Sequence, residues 1–291
     1  MSVQLKKGDI IVFKAGDDWI SKCIALFTNS DVSHASMLYS DDTIAEMYYQ
    51  EIGVHKIIET SSGLEAYIMR LKPERNPEPL IKAADCYIKA STRYNFSGIV
   101  ILAGLIIYRE IRPERKFMHV ADLILRAACA VLDKFIQEVI GKGKSMVCSQ
   151  LVYQVYLDCG ADYLIKGDFQ LRNKPGKFRI ANILEKVPRT ALYNSDTMVE
   201  INQDEEELAH QLYLAMTGPE ECDTVSTASE NDFNINDIPE SAVWFVKLLE
   251  DFLEKNGSKL PIYSLFVTPG DLVYNTTNLE RLGTAKFKVN R

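Results

Sequence analysis

"VSHASMLYSDDTIAEMYY", residues 32–49, sets two short apolar runs on either side of the polar triplet Ser40-Asp41-Asp42. Runs of this length around a polar turn predict a β-hairpin. His34 starts the first strand and Glu46 lies on the returning one. Both positions are even, so every register with an even index sum puts the two side chains on one face. With the turn centred on Ser40 they stand directly opposite, about 5 Å apart at Cβ. A carboxylate in that place can orient an imidazole and stabilise its protonated form.

A base so prepared needs a nucleophile. "KSMVCSQLVYQVYLDCG" (144–160) places Cys148 at the head of an apolar, helix-like run. Inside a helix, a free cysteine packs as a small hydrophobe. At a helix N-terminus, the unpaired N–H groups and the positive end of the helix dipole favour its thiolate. Cys148, His34 and Glu46 are therefore the candidate nucleophile, base and orienting acid. Each has a plainer reading: a packing thiol, a half-buried strand histidine, a solvated hairpin carboxylate. His55 and His119 read as surface residues, and Cys159 as core on the same helix.

Around these residues, "GDIIVF" (8–13) reads as a strand. "DDWISKCIALFT" (17–28) reads as an amphipathic helix capped by its aspartates. "GVHKIIE" (53–59) and "EAYIMRL" (65–71) alternate as two further strands. Helices are expected over 79–91, about 96–110 and 119–140, and from near Ser145. "GIVILAGLII" (98–107) is about half the length of a bilayer span and reads as a buried helix. Beyond Gly160 the chain turns loop-rich, with a basic turn at 172–179 and helices over 204–216 and 241–257. The stretch 217–241 carries seven acids and no basic residue, and is read as disordered or a long exposed loop. The domain reading is a catalytic core over 1–190, an acidic, partly disordered insert with two helices over 191–258, and a C-terminal segment over 259–291 that returns to the core.

The charge follows the same division. The net charge is −7, from 33 basic and 40 acidic residues. Between Arg189 and Lys247 there are 13 acids and no Lys or Arg, so the remainder holds 27 acids against 33 bases, about +6. Such a body suits ordinary solvation or contact with an anionic membrane surface, and no nucleic-acid partner is read from it. Six cysteines without CxxC pairs are read as reduced thiols and hold no zinc framework. "MSVQLKKGDIIVF" carries no apolar signal region, so the expectation is a cytoplasmic protein, or one exported without a signal peptide, with no transmembrane segment. "GKGKS" (141–145) lacks the first glycine of a phosphate-binding loop and is rejected as one.

Taken in order, "GDIIVF", "DWISKCIALFTNSDVSHASMLY", "IAEMYYQEIGV", "TRYNFSGIV" and "VCSQLVYQVYLDCG" resemble the permuted papain-like cysteine hydrolases, the YaeF/YiiX-type branch of the NlpC-like superfamily. Lecithin:retinol acyltransferase-like proteins are more distant relatives. The resemblance covers 8–160, and more weakly "YSLFVTPGDLVYN" (263–275). It implies an α+β fold in which a circularly permuted papain-like core packs a small antiparallel sheet against helices. It also implies the chain order His, acid, Cys, which His34, Glu46 and Cys148 match. Papain-like geometry further implies an oxyanion donor at the Cys148 N–H, with Tyr94 or a polar residue near Asp9 as the second.

Three functions follow. The first is a hydrolase of amide bonds acting through an acyl-enzyme on a peptide or peptidoglycan-like substrate. The second is a thioester-forming lipid hydrolase or acyltransferase, for which the 98–107 helix and basic body would suit an acyl chain and a membrane. The third is a non-catalytic binding module. None calls for a metal or organic cofactor.

Overall fold

A computed structural model of the chain describes residues 3–18, 21, 22, 24, 25, 28, 30–48, 51–94, 145–167 and 267–291. The expected helices at 96–110, 119–140, 204–216 and 241–257, the basic turn and the 191–258 insert lie outside the described residues. So do His119, His210, Cys23, Cys129 and Cys222. The described residues belong to a unit assembled from Met1–Gly98, Lys142–Arg172 and Pro261–Arg291.

The architecture is mixed, a small and mostly antiparallel sheet with few helices. Strands β1 (Ile10–Lys14), β2 (Val32–Leu38) and β3 (Thr43–Tyr48) pair in sequence order. Strand β4 is a single run of 21 residues, Glu51–Leu71, where the sequence reads as two strands. Its first half pairs with β3 and its second half with β1, so the ladder β1–β2–β3–β4 closes on itself. Closure satisfies strand edges that an open four-stranded sheet would expose. Two short strands, β5 (Arg93–Tyr94) and β6 (Ser145–Met146), extend the sheet, and β5–β6 is its parallel pair.

Strand β7 (Leu279–Asn290) runs antiparallel along nearly the whole of β4. Its register jumps where Phe287 faces both Glu59 and Leu64. Gly63 makes that jump sterically feasible: a Cβ there would lie 2.3 Å from the Phe287 carbonyl carbon.

Alternation along these strands sorts their side chains into two apolar faces. One collects Ile11, Phe13, Leu38, Ile44, Ile57, Ala66, Ile68 and Phe287. The other, with Ile10, Val12, Met37, Ala45 and Met47, packs against helices. These are α1 (Glu78–Lys89), α2 (Cys148–Asp158) and α3 (Pro269–Tyr274). Helix α1 enters behind Pro77 and buries Leu80 and Ala84. Helix α3 has a reciprocal cap: Thr268 Oγ1 accepts from Asp271 N–H, and Asp271 accepts from Thr268 N–H, both at 2.9 Å. Earlier in the chain, Ser21, Lys22, Ile24 and Ala25 are helical, and the Ser21 N–H donates to Asp18 Oδ1 at 2.8 Å, the expected cap.

The 17–28 helix head and the hairpin agree with the sequence reading. The helix expected from near Ser145 begins at Cys148, because Ser145 and Met146 are spent on β6.

Candidate active site

The β2–β3 hairpin turns around Asp41, one residue beyond the expected centre. Its closing contacts are Tyr39 N–H to the Thr43 carbonyl (2.8 Å) and the Ser40 and Thr43 hydroxyls (2.6 Å). The register is therefore Ser36 opposite Glu46, and His34 is a diagonal neighbour of Glu46 instead of facing it. The index sum stays even, so both still share a face, and the two long side chains span the diagonal. His34 Nε2 lies 2.7 Å from Glu46 Oε2.

The hairpin ladder stops at Ser36–Glu46, while β3 runs on along β4 to Tyr48. Along β2, Leu38 N–H points to Asp9 beside β1, and the next residue, Tyr39, points its N–H to Thr43 at the start of β3. Alternation therefore aims odd-numbered amides toward β3, and Ala35 N–H is the first without a β3 residue opposite it. It donates to the sulfur of Cys148 instead. The forking strands thus leave a slot in which the head of α2 sits.

Helix α2 brings the thiol there through specific anchors. Tyr156, fully buried, donates its hydroxyl to the Gly8 carbonyl at the foot of β1, and Ser149 donates to the Val267 carbonyl at 2.6 Å. Val147 occupies the cap with extended φ −87° and ψ 162°, and its side chain accepts nothing. Gln150 Oε1 reaches back to the Val147 N–H at 3.4 Å. The Ser149 N–H, which a serine or aspartate cap would take up, donates to the Cys148 sulfur. Val147 offers no capping oxygen, and the sulfur one residue further on takes up that amide instead.

Cys148 is 2% exposed, and burial alone would push its thiol up; the adjoining His34 charge and hydrogen bond, with the Ala35 and Ser149 amides, bring it below its ordinary range. His34 moves the other way. Burial lowers it, but the charge and hydrogen bond of Cys148 and the contact with Glu46 raise it to about 9. Both shifts favour the thiolate–imidazolium form of the pair. Because Nε2 is engaged by Glu46, Nδ1 is the nitrogen left for the sulfur.

Glu46 is completely buried and takes four donors. His34 Nε2 and Arg291 Nη2 (3.0 Å) approach Oε2; His55 Nδ1 (2.9 Å) and Arg291 Nε (2.7 Å) approach Oε1. Burial pushes this carboxyl up, yet the contacts with His34 and Arg291 outweigh it and hold it well below the usual carboxylate range. A buried carboxylate forfeits several kcal/mol of hydration, and charge-assisted hydrogen bonds return about 1.5–3 kcal/mol each. Four of them suffice to keep it ionised.

Two of these partners correct or extend the sequence reading. His55, read as a surface residue, is half-buried with Tyr48 edge-on at 6.3 Å. Arg291 was not singled out; its guanidinium lies 3.8 Å above the Tyr48 ring. The signal for His55 was Gly53. It faces Glu46 in the ladder, and a Cβ there would lie 2.6 Å from His55 Cε1, so only glycine leaves room for the ring. The signal for Arg291 was the alternation Phe287, Val289, Arg291 at the end of the chain.

Near Asp9, where a polar residue was expected as a second oxyanion donor, Asp9 itself is engaged elsewhere. Its carboxylate is held by Arg70 Nε (2.6 Å) and Nη2 (2.7 Å) and by the Lys6 N–H (2.8 Å). The Tyr94 side chain lies outside the described residues. Cys86, Cys148 and Cys159 are free thiols, and burial and Asp158 raise Cys159. Among the described residues, no three His, Cys, Asp or Glu side chains converge as a metal would require, and no helix is long and apolar enough to cross a membrane.

No family model matches the chain, and no curated protein matches its sequence. Among solved structures, the chain is similar to the crystal structure of the metalloprotein YiiX from Escherichia coli O157:H7. The identity is 17%, over 54% of this chain and 67% of that one, with a TM-score of 0.30.

Proposed function

We propose that this protein is a cysteine-dependent hydrolase of amide bonds, built on a circularly permuted papain-like core of the YaeF/YiiX type. One observation carries the reading: an unbroken chain of contacts from Glu46 through His34 to a sulfur at a helix start. Those are the parts of covalent acyl transfer, a nucleophile, a base and an orienting acid.

The chemistry follows from the resting charges. The Cys148 thiolate adds to the substrate carbonyl carbon, and the oxyanion forms beside the N–H groups at the head of α2. The C–N bond then breaks, and imidazolium His34 gives its proton to the departing amine. Cys148 is left as a thioester. Water enters, His34 takes one of its protons, and the carboxylic acid leaves as the thiolate returns. Glu46 stays ionised throughout and holds His34 with hydrogen on Nε2, so that Nδ1 does the proton transfer.

A lipid hydrolase or acyltransferase would use the same thioester and differ in what donates and accepts the acyl group. Incubating the protein with peptide and acyl-lipid panels and recording intact mass separates them. The expected outcome is turnover of amides with a transient acyl adduct on Cys148, and loss of turnover by about 1,000-fold or more in Cys148→Ala. A fatty-acyl adduct would transfer the reading to the lipid class. Unchanged function in Cys148→Ala would leave a binding module.

A further inference from the structure

Two members of the Glu46 cluster have no part in the acyl-transfer steps above, namely Arg291 and His55. Their geometry is specific. Arg291 presents Nε and Nη2 side by side to the two carboxylate oxygens, the bidentate arrangement that fixes a carboxylate in plane. His55 takes the remaining position on Oε1, as His34 does on Oε2. An ionised carboxylate has about four lone-pair sites, and here all four are occupied. With both oxygens filled, Glu46 can neither rotate nor take a proton without breaking a contact. Each imidazole must then point an N–H at it, which fixes one His34 hydrogen on Nε2 and leaves Nδ1 as the nitrogen that exchanges a proton with the sulfur.

We infer that Arg291 and His55 are positioning residues, which set the tautomer and orientation of His34 by saturating Glu46. The inference rests on the cysteine-hydrolase reading. The titratable and charged groups facing Glu46 are His34 from β2, His55 from β4 and Arg291 beyond β7, with Tyr48 from β3 against the last two. Without Arg291 the carboxyl loses a cation that holds it down, so it takes a proton at higher pH and releases His34.

The test needs no known substrate. Iodoacetamide alkylation of Cys148 is followed by peptide mass across pH in the 291-residue chain and in Arg291→Ala, Arg291→Lys, His55→Ala and His55→Asn. Thiolate absorbance near 240 nm and thermal melting are recorded alongside. In Arg291→Ala the acid limb of alkylation is expected to move up by about one pH unit, with thiolate absorbance lost over the same range. Arg291→Lys, which keeps the charge, should recover part of the shift. His55→Asn, which keeps a donor near the Nδ1 position, should behave more like the parent than His55→Ala does. A lowered melting temperature with the acid limb unmoved would overturn the inference and assign both residues a purely structural role. Cys148→Ala with unchanged function would overturn the hydrolase reading instead, and the two failures are read from different variants.

Discussion

Among the described residues, the buried carboxylates of Asp9 and Glu46 are each gripped by two nitrogens of an arginine, and they do different work. Asp9 meets Arg70 at 2.6 and 2.7 Å, with the Lys6 amide as third donor. Glu46 meets Arg291 at 2.7 and 3.0 Å, with two imidazoles as further donors. Neutralisation by arginine is common to both. What lies behind the carboxylate differs: at Asp9 the network ends in the Gln4 carbonyl and the surface pair Glu74–Lys6 and fastens the foot of β1 to β4, whereas at Glu46 it continues through a titratable ring to a sulfur. An arginine–carboxylate pair is therefore no mark of a reactive site until its other partners are named.

The comparison can be broken most directly at the two carboxylates. Glu46→Gln offers His34 an amide that can donate, which invites the tautomer with hydrogen on Nδ1 and blocks proton transfer from the sulfur. Turnover should fall by about 100- to 10,000-fold. Asp9→Asn should leave the acid limb of Cys148 alkylation in place and lower stability by about 3–5 kcal/mol, read by denaturant unfolding, since it strands Arg70. If Asp9→Asn moved the acid limb as strongly as Glu46→Gln, the division of labour would be wrong.

Acid sharpens the contrast. Glu46 is held below its ordinary value of 4.5, so the stability it contributes is present in full above that pH and is lost as pH falls beneath it. The gap in melting temperature between the parent and Glu46→Gln should be widest above pH 4.5 and narrow progressively as pH falls below it. A gap that widened on acidification would contradict the sign. The smallest effect is expected at Gly53→Ala, where the new Cβ meets the far end of a movable ring. Displacing His55 while sparing Arg291 should change the alkylation profile less than Arg291→Ala does.

Much of the site was legible in the sequence, because His34, Glu46 and Cys148 each sit in a local pattern. Strand parity put the first two on one face in every register with an even index sum, and the passage from Lys144-Ser145 into an apolar, helix-like run marked a helix start nearby. The exact pairing was not legible. One residue of turn separates Ser40 from Asp41 as centre, and a diagonal contact from a direct one. His55 was hidden because β4 reads as two strands broken by "TSSG", while in three dimensions it is continuous and carries Gly53 past Glu46. Arg291 was hidden for another reason: its partner is 245 residues away, and no local pattern reports a pairing at that distance.

The row Phe287, Val289, Arg291 has a consequence for biosynthesis. The segment bearing the thiol leaves the ribosome well before the strand whose far end completes the grip on Glu46. A nascent chain holding only its first two hundred residues would thus carry the sulfur without the full set of contacts that primes it. On the proposed reading, the thiol is fully primed only once β7 has been made and laid along β4.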